Sequence, residues 1–169
     1  EEYTVKYQID TSFLNEKNVY TFYYNETLKE EDEYFIEGIV EFNNEIYSMY
    51  GKKEIEDDEQ EIEFKISLNE NTYVVLEQEV ENNEQEYSYK YYENNKKIYQ
   101  TELEFEDNEI TFKEKNSEGK KKYSFKFIND HQVKAKIKIN EETFYLLINI
   151  ELNELNEKVY TIINNESNK

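Results

Sequence analysis

Apolar and charged residues alternate along most of this chain, from about Tyr34 to Leu152. The rhythm is plainest in Lys122-Tyr123-Ser124-Phe125-Lys126-Phe127, a short turn at Asn129-Asp130-His131, and then Val133-Lys134-Ala135-Lys136-Ile137-Lys138-Ile139. A period of two sends every second side chain to the same face, which is how an antiparallel strand with one buried face reads. The pattern predicts strands over 3–9, 19–24, 34–42, 45–51, 61–68, 72–80, 86–92, 97–105, 109–115, 121–128, 132–139, 143–152 and 158–163. The segment Thr11–Glu33 carries the weakest pattern. Leu14, Tyr20, Tyr23 and Leu28 would also suit one or two helical turns, and 15–18 and 30–33 read as loops.

Short connections such as Asn43-Asn44, Asn94-Asn95, Asp107-Asn108 and Asn140 to Glu142 separate the strands. Asn tolerates the positive φ of hairpin turns and here replaces Gly, of which there are three. Gly119 falls in a turn, whereas Gly38 and Gly51 fall in strands and suggest bulges. Tight turns make successive strands antiparallel neighbours, so the fold expected is an all-β, up-and-down meander of about ten to thirteen strands. Laid flat, a dozen strands at ~4.8 Å each would be too wide for a stable sheet. The meander is therefore expected to curl into a closed or half-open barrel, with a two-sheet sandwich as the alternative. Its inward set would be Phe64, Ile66, Val74, Leu76, Leu103, Phe105, Ile110, Phe112, Tyr123, Phe125, Phe127, Val133, Ile137, Ile139, Phe144, Leu146, Ile148 and Ile150.

Composition changes this picture in two ways. A hydrophobic share of 37% with a net charge of −20 would ordinarily argue for disorder. Seventeen Tyr and ten Phe, held in phase, argue instead for one folded domain over 1–169 with a thin aromatic core. All 20 basic residues are Lys, and Arg, Pro, Cys and Trp are absent, which together with abundant Asn, Ile and Tyr reads as AT-rich coding. Without Cys there is no disulfide or zinc–thiolate chemistry within the chain. No apolar run approaches the ~20 residues of a membrane-crossing helix.

The charge is unevenly spread. Residues 110–139 hold nine Lys against Glu114, Glu118 and Asp130, a local balance of +6 in a chain of −20. On the outward face of the expected meander, Glu102, Glu104 and Glu106 precede Lys113 and Lys115, then Lys122 and Lys126, then Lys134, Lys136 and Lys138. Such a band suits docking of an anionic partner, and equally a solvated face whose long stems shield the sheet. Tyr87, Tyr89 and Tyr91 share one face of a strand, with Tyr92 and Tyr99 near. Exposed Tyr suits sugars or proteins, and buried Tyr suits a barrel core.

Little points to catalysis or cofactors. The single His, His131, sits in a tight turn without an oriented partner. The acidic runs 30–33 and 54–59 lack the alternating spacing that folds a loop round Ca²⁺. No phosphate-binding Gly loop or nucleophile elbow occurs. The net charge opposes nucleic acid, and no aromatic interleaves the Lys band as a base-stacking platform requires.

By composition and meander style the chain is similar to mature ectodomains of exported lipoproteins from AT-rich bacteria, a resemblance that carries no residue-level assignments. It implies an extracytoplasmic domain whose signal or anchor would lie upstream of Glu1. The expected function is non-enzymatic, without cofactor or metal: surface binding of a protein or glycan through the Lys band or Tyr cluster. The alternative is a lipocalin-like carrier of an apolar molecule inside the curled sheet.

Overall fold

A computed structural model describes residues 2–13 and 16–164. They form one sheet whose strands follow chain order: β1 (Val5–Phe13), β2 (Glu16–Glu30), β3 (Glu33–Phe42), β4 (Glu45–Glu56), β5 (Glu59–Ser67), β6 (Tyr73–Glu81), β7 (Glu84–Glu93), β8 (Lys96–Glu106), β9 (Glu109–Asn116), β10 (Gly119–Asn129), β11 (Gln132–Ile139), β12 (Glu142–Leu152) and β13 (Lys158–Asn164). Every neighbouring pair is antiparallel, and among the described residues β1 and β13 are the free edges. The barrel is half-open rather than closed.

Turn chemistry explains the topology. Asn43 and Asn44 have φ of 51° and 63°, and Asn94 and Asn95 have 50° and 58°, so both central positions of these hairpin turns are left-handed. Other Asn side chains brace connections instead, as where Asn129 Oδ1 accepts the backbone N–H of His131 at 2.9 Å.

Register gives the sheet two chemically different faces. Phe22 lies opposite Val40, Val40 opposite Tyr47, Met49 opposite Ile66, Ile66 opposite Val74 and Val74 opposite Tyr91. Carried on to β12, the same face holds all eighteen residues of the expected inward set. The opposite face is charged.

The deepest packing, however, lies in the N-terminal half. Phe22, Ile36, Val40, Met49 and Ile66 form the buried cluster, with Tyr20, Tyr24, Tyr47 and Phe64 against it. Phe22 and Phe64 stand on β2 and β5, three strand steps and roughly 14 Å apart in a flat sheet. Their ring centroids are 6.4 Å apart, so this part of the sheet is tightly curled with the apolar face inside. From β8 onward the curl relaxes: Phe105, Phe127, Ile139 and Phe144, expected in the core, are exposed at 37–44%, while Val133 and Ala135 stay buried. Alternation specifies a face, but curvature decides how much of it is covered.

Three further expectations need correction. Residues 16–18 and 30 belong to β2 and Glu33 to β3, not to loops, and Tyr20, Tyr23 and Leu28 lie on β2 rather than on helical turns; Leu14 and Asn15 lie outside the described residues. The run 54–59, lying between the strands expected over 45–51 and 61–68, is the β4–β5 hairpin. Gly38 and Gly51 mark no bulge, since both pair regularly. At Gly38 a Cβ would stand 2.1 Å from the Tyr23 carbonyl oxygen, so close backbone approach is what requires glycine.

Candidate binding surfaces

The charged face carries cross-strand rows of like charge. Glu33, Glu54, Glu61, Glu79, Glu86 and Glu104 stand directly opposite one another in succession from β3 to β8. Partial desolvation, then Glu104 and Glu102, push the Glu86 carboxyl above its usual range. Ligand atoms of Glu86, Glu102 and Glu104 come within 4.8 Å of one another. A protein cation already serves this group: Lys113 Nζ is 3.1 Å from Glu102 and also pairs with Glu104. The hydrogen bond to Glu104 is the main reason the Lys113 ammonium is held above its ordinary range.

Past Lys113 the sign reverses. Lys113 faces Lys122, Lys122 faces Lys138, Lys115 faces Lys120, and Lys126 faces Lys134. Lys136 lies opposite Ser124, and Lys126 also faces Glu109, the one carboxylate that β9, β10 and β11 place on this face. The band Lys113, Lys115, Lys122, Lys126, Lys134, Lys136 and Lys138 therefore sits on one surface, with Lys120 joining it. Of these, only Lys113 has a carboxylate within ion-pair distance; Lys136 instead lies 5.8 Å over the Tyr145 ring.

Small residues make this surface hollow. Thr111 and Ser124 are buried at its floor, their hydroxyls 3.1 Å apart. Lys122, Lys126, Lys134, Lys136 and Lys138 rise round Ser124, with Glu109 as the one carboxylate among them, and border a depression of about 490 Å³. A second depression of about 600 Å³ adjoins it, where Lys113, Lys115, Lys120, Lys122 and Lys138 share the lining with Glu102, Glu114 and Glu141. The Lys band was legible from spacing alone. Its hollow floor was not, although Thr111 and Ser124 are the small residues of the pattern and signal it.

Tyr87, Tyr89 and Tyr91 lie on the other face. They border the inside of the curl, where Tyr7, Phe22, Tyr24, Phe64, Leu76, Tyr87, Tyr89, Leu103 and Phe112 line a trough of about 620 Å³. Burial first, then Tyr91, Tyr20 and Tyr99, raise the Tyr89 phenol, so it stays protonated in any ordinary buffer. Tyr87 keeps its hydroxyl wet, donating to Gln85 Oε1 at 3.1 Å. Tyr92 turns to the charged face and stacks on Tyr73 at 4.6 Å. The Lys band and the Tyr cluster are thus two separate surfaces.

No family model, curated protein or solved structure matches the chain, and both surfaces are read from their own chemistry.

Proposed function

We propose that this chain is a non-catalytic, extracytoplasmic binding module whose Lys-walled face docks an anionic glycan. The observation that carries the reading is the set of four directly opposed Lys pairs, in which Lys115, Lys120, Lys122, Lys126, Lys134 and Lys138 have no carboxylate within ion-pair distance, although Lys126 also faces Glu109 across the ladder. Like charges set opposite one another cost stability, and bound anionic groups would relieve that cost. A protein partner would want a buried aromatic or apolar anchor, and Tyr145 at the margin is the one large ring beside the hollow. Lys ammoniums are compact point charges without a fork geometry, which suits sulfates or carboxylates repeated along a flexible chain. The net charge of −20 repels a polyanion at long range, but screening over ~8 Å at physiological salt leaves the local field to decide.

The test is titration of a sulfated or uronate polysaccharide, with neutral dextran as control, against the wild type and a Lys126→Gln/Lys134→Gln/Lys138→Gln variant. Salt-sensitive binding by the wild type that the variant loses is the expected result. Equal binding by both, or none by the wild type, rejects the reading.

The trough supports a second reading, a carrier of an elongated apolar molecule with its polar end at Tyr87. Its aromatic lining and its volume of about 620 Å³ favour this. Native mass spectrometry after exposure to a lipid extract would show a stoichiometric adduct, and bare protein would count against a carrier.

A further inference from the structure

The edge strand β13 reads Lys158-Val159-Tyr160-Thr161-Ile162-Ile163-Asn164. It contains no acid, Gly or Pro in a chain with 40 carboxylates, and it carries a net +1. Register with β12 puts Tyr160 and Ile162 on the apolar face of the sheet and Val159 and Ile163 on the other. A strand apolar on both sides is the pattern of one covered on both sides. Here Tyr160 and Ile162 are 61% and 62% exposed, and Val159 and Ile163 are 43% and 41% exposed. One side of its backbone pairs with β12, and among the described residues no strand pairs with the other. Of the usual protections of an edge, Pro and a bulge are missing; the one inward-pointing charge is Lys158 at the first position, opposite Leu152, and from Val159 onward no charge stands on either face.

We infer that β13 is an assembly edge, and that its partner is β13 of a second copy, paired antiparallel about Thr161. Charge chooses the partner. Two chains of −20 repel across most of their surfaces, and the acid-free edge lets their backbones approach without opposing carboxylates. Geometry supports the same choice. A two-fold axis at Thr161 matches the strand to itself and sets Tyr160 opposite the partner's Ile162, twice. The apolar face then runs on across the seam, so that the exposed faces of β12 and β13 continue into those of the second copy, and the free edge is removed.

Sedimentation velocity over a roughly hundredfold range of protomer concentration tests this on the chain as it stands. The wild type should show a reversible monomer–dimer equilibrium. Ile162→Glu and Tyr160→Lys, each alone, should raise the dimer dissociation constant about tenfold or more, since each puts a charge against an apolar neighbour. Mixing the two variants should restore a heterodimer, because the introduced carboxylate of one then lies opposite the introduced ammonium of the other. Amide exchange in β13 should slow as wild-type concentration rises, a readout that needs no variant. A wild type monomeric throughout overturns the inference. So does a dimer that survives both substitutions, or single variants that do not recover on mixing. Dimerisation is independent of the Lys face, so loss of glycan binding leaves this result untouched.

Discussion

A single absent methyl group holds the tightest part of the sheet together. Gly38 pairs with Tyr24 on one side and Met49 on the other, and a Cβ there would meet Tyr24 Cβ at 2.6 Å as well as the Tyr23 carbonyl. The obstacle is backbone, which cannot swing aside as a flexible side chain would. Gly38→Ala should therefore destabilise the fold by at least the ~1–3 kcal/mol typical of overpacking, measured as a lower urea midpoint with an unchanged slope. The sequence marks Gly38 only as a glycine inside an apolar strand, a sign shared by bulges and by close approaches. Distinguishing them needs the neighbouring strand, which the local pattern does not contain. The turn residues are the opposite case. Asn94 and Asn95 need positive φ for a reason internal to the hairpin, and that reason is readable from four consecutive residues.

At the scale of the element, strands and their faces were legible because both depend on a period of two and on short turns. The length of β2 was not: its polar second half is held by pairing with β3, with Glu26 opposite Ile36 and Thr27 opposite Phe35. The Glu row was hidden for a related reason, since it exists only once five registers are combined. Glu79, exposed and flanked by Glu61 and Glu86, is its simplest test. Glu79→Lys converts two repulsive pairs into attractive ones at ~0.2–1 kcal/mol each. It should raise Tm by a few degrees, at ~2–4 °C per kcal/mol for a chain of this size. Acid should act in the same direction. Glu86 has a folded pKa above its unfolded value, so its ionisation opposes folding. That penalty is absent below the unfolded carboxylate pKa of ~4.3 and grows as pH rises through the raised folded value. Glu77 works oppositely. Partial burial disfavours its ionisation, but hydrogen bonds from Lys90 and Ser88 outweigh that and hold its pKa low, so its contribution is lost in acid. Above the unfolded carboxylate pKa of ~4.3, where Glu77 stays ionised, calorimetry should find Tm falling as pH rises until Glu86 is fully ionised, and Glu86→Gln should flatten that slope.

For the whole molecule, one charged face carries two fields of opposite sign, acidic across β3–β8 and basic across β9–β11, joined at Lys113. Two roles for the basic field make opposite predictions at Lys122, which faces Lys113 on one side and Lys138 on the other. If the Lys stems chiefly shield the buried Thr111–Ser124 floor, shortening one removes cover and the fold weakens. If the field is kept for a ligand, the same change relieves two repulsions and the fold tightens, while affinity for the polyanion drops. Such opposition between stability and function is common at binding sites. The exposure of Lys122 favours the second outcome, because an exposed side chain has little cover to lose. Lys122→Gln is therefore expected to gain a few tenths to ~1 kcal/mol of stability in low salt. The gain should fade as the Debye length shrinks toward ~3 Å at 1 M salt. The polysaccharide should raise the Tm of the wild type more than that of the variant, because ligand bound to the native state stabilises it in proportion to affinity. Paired melting curves, with and without polysaccharide, measure both effects in one experiment. A variant less stable than the wild type, with an unchanged response to the polymer, would make the Lys band a shield and remove the observation on which glycan binding rests.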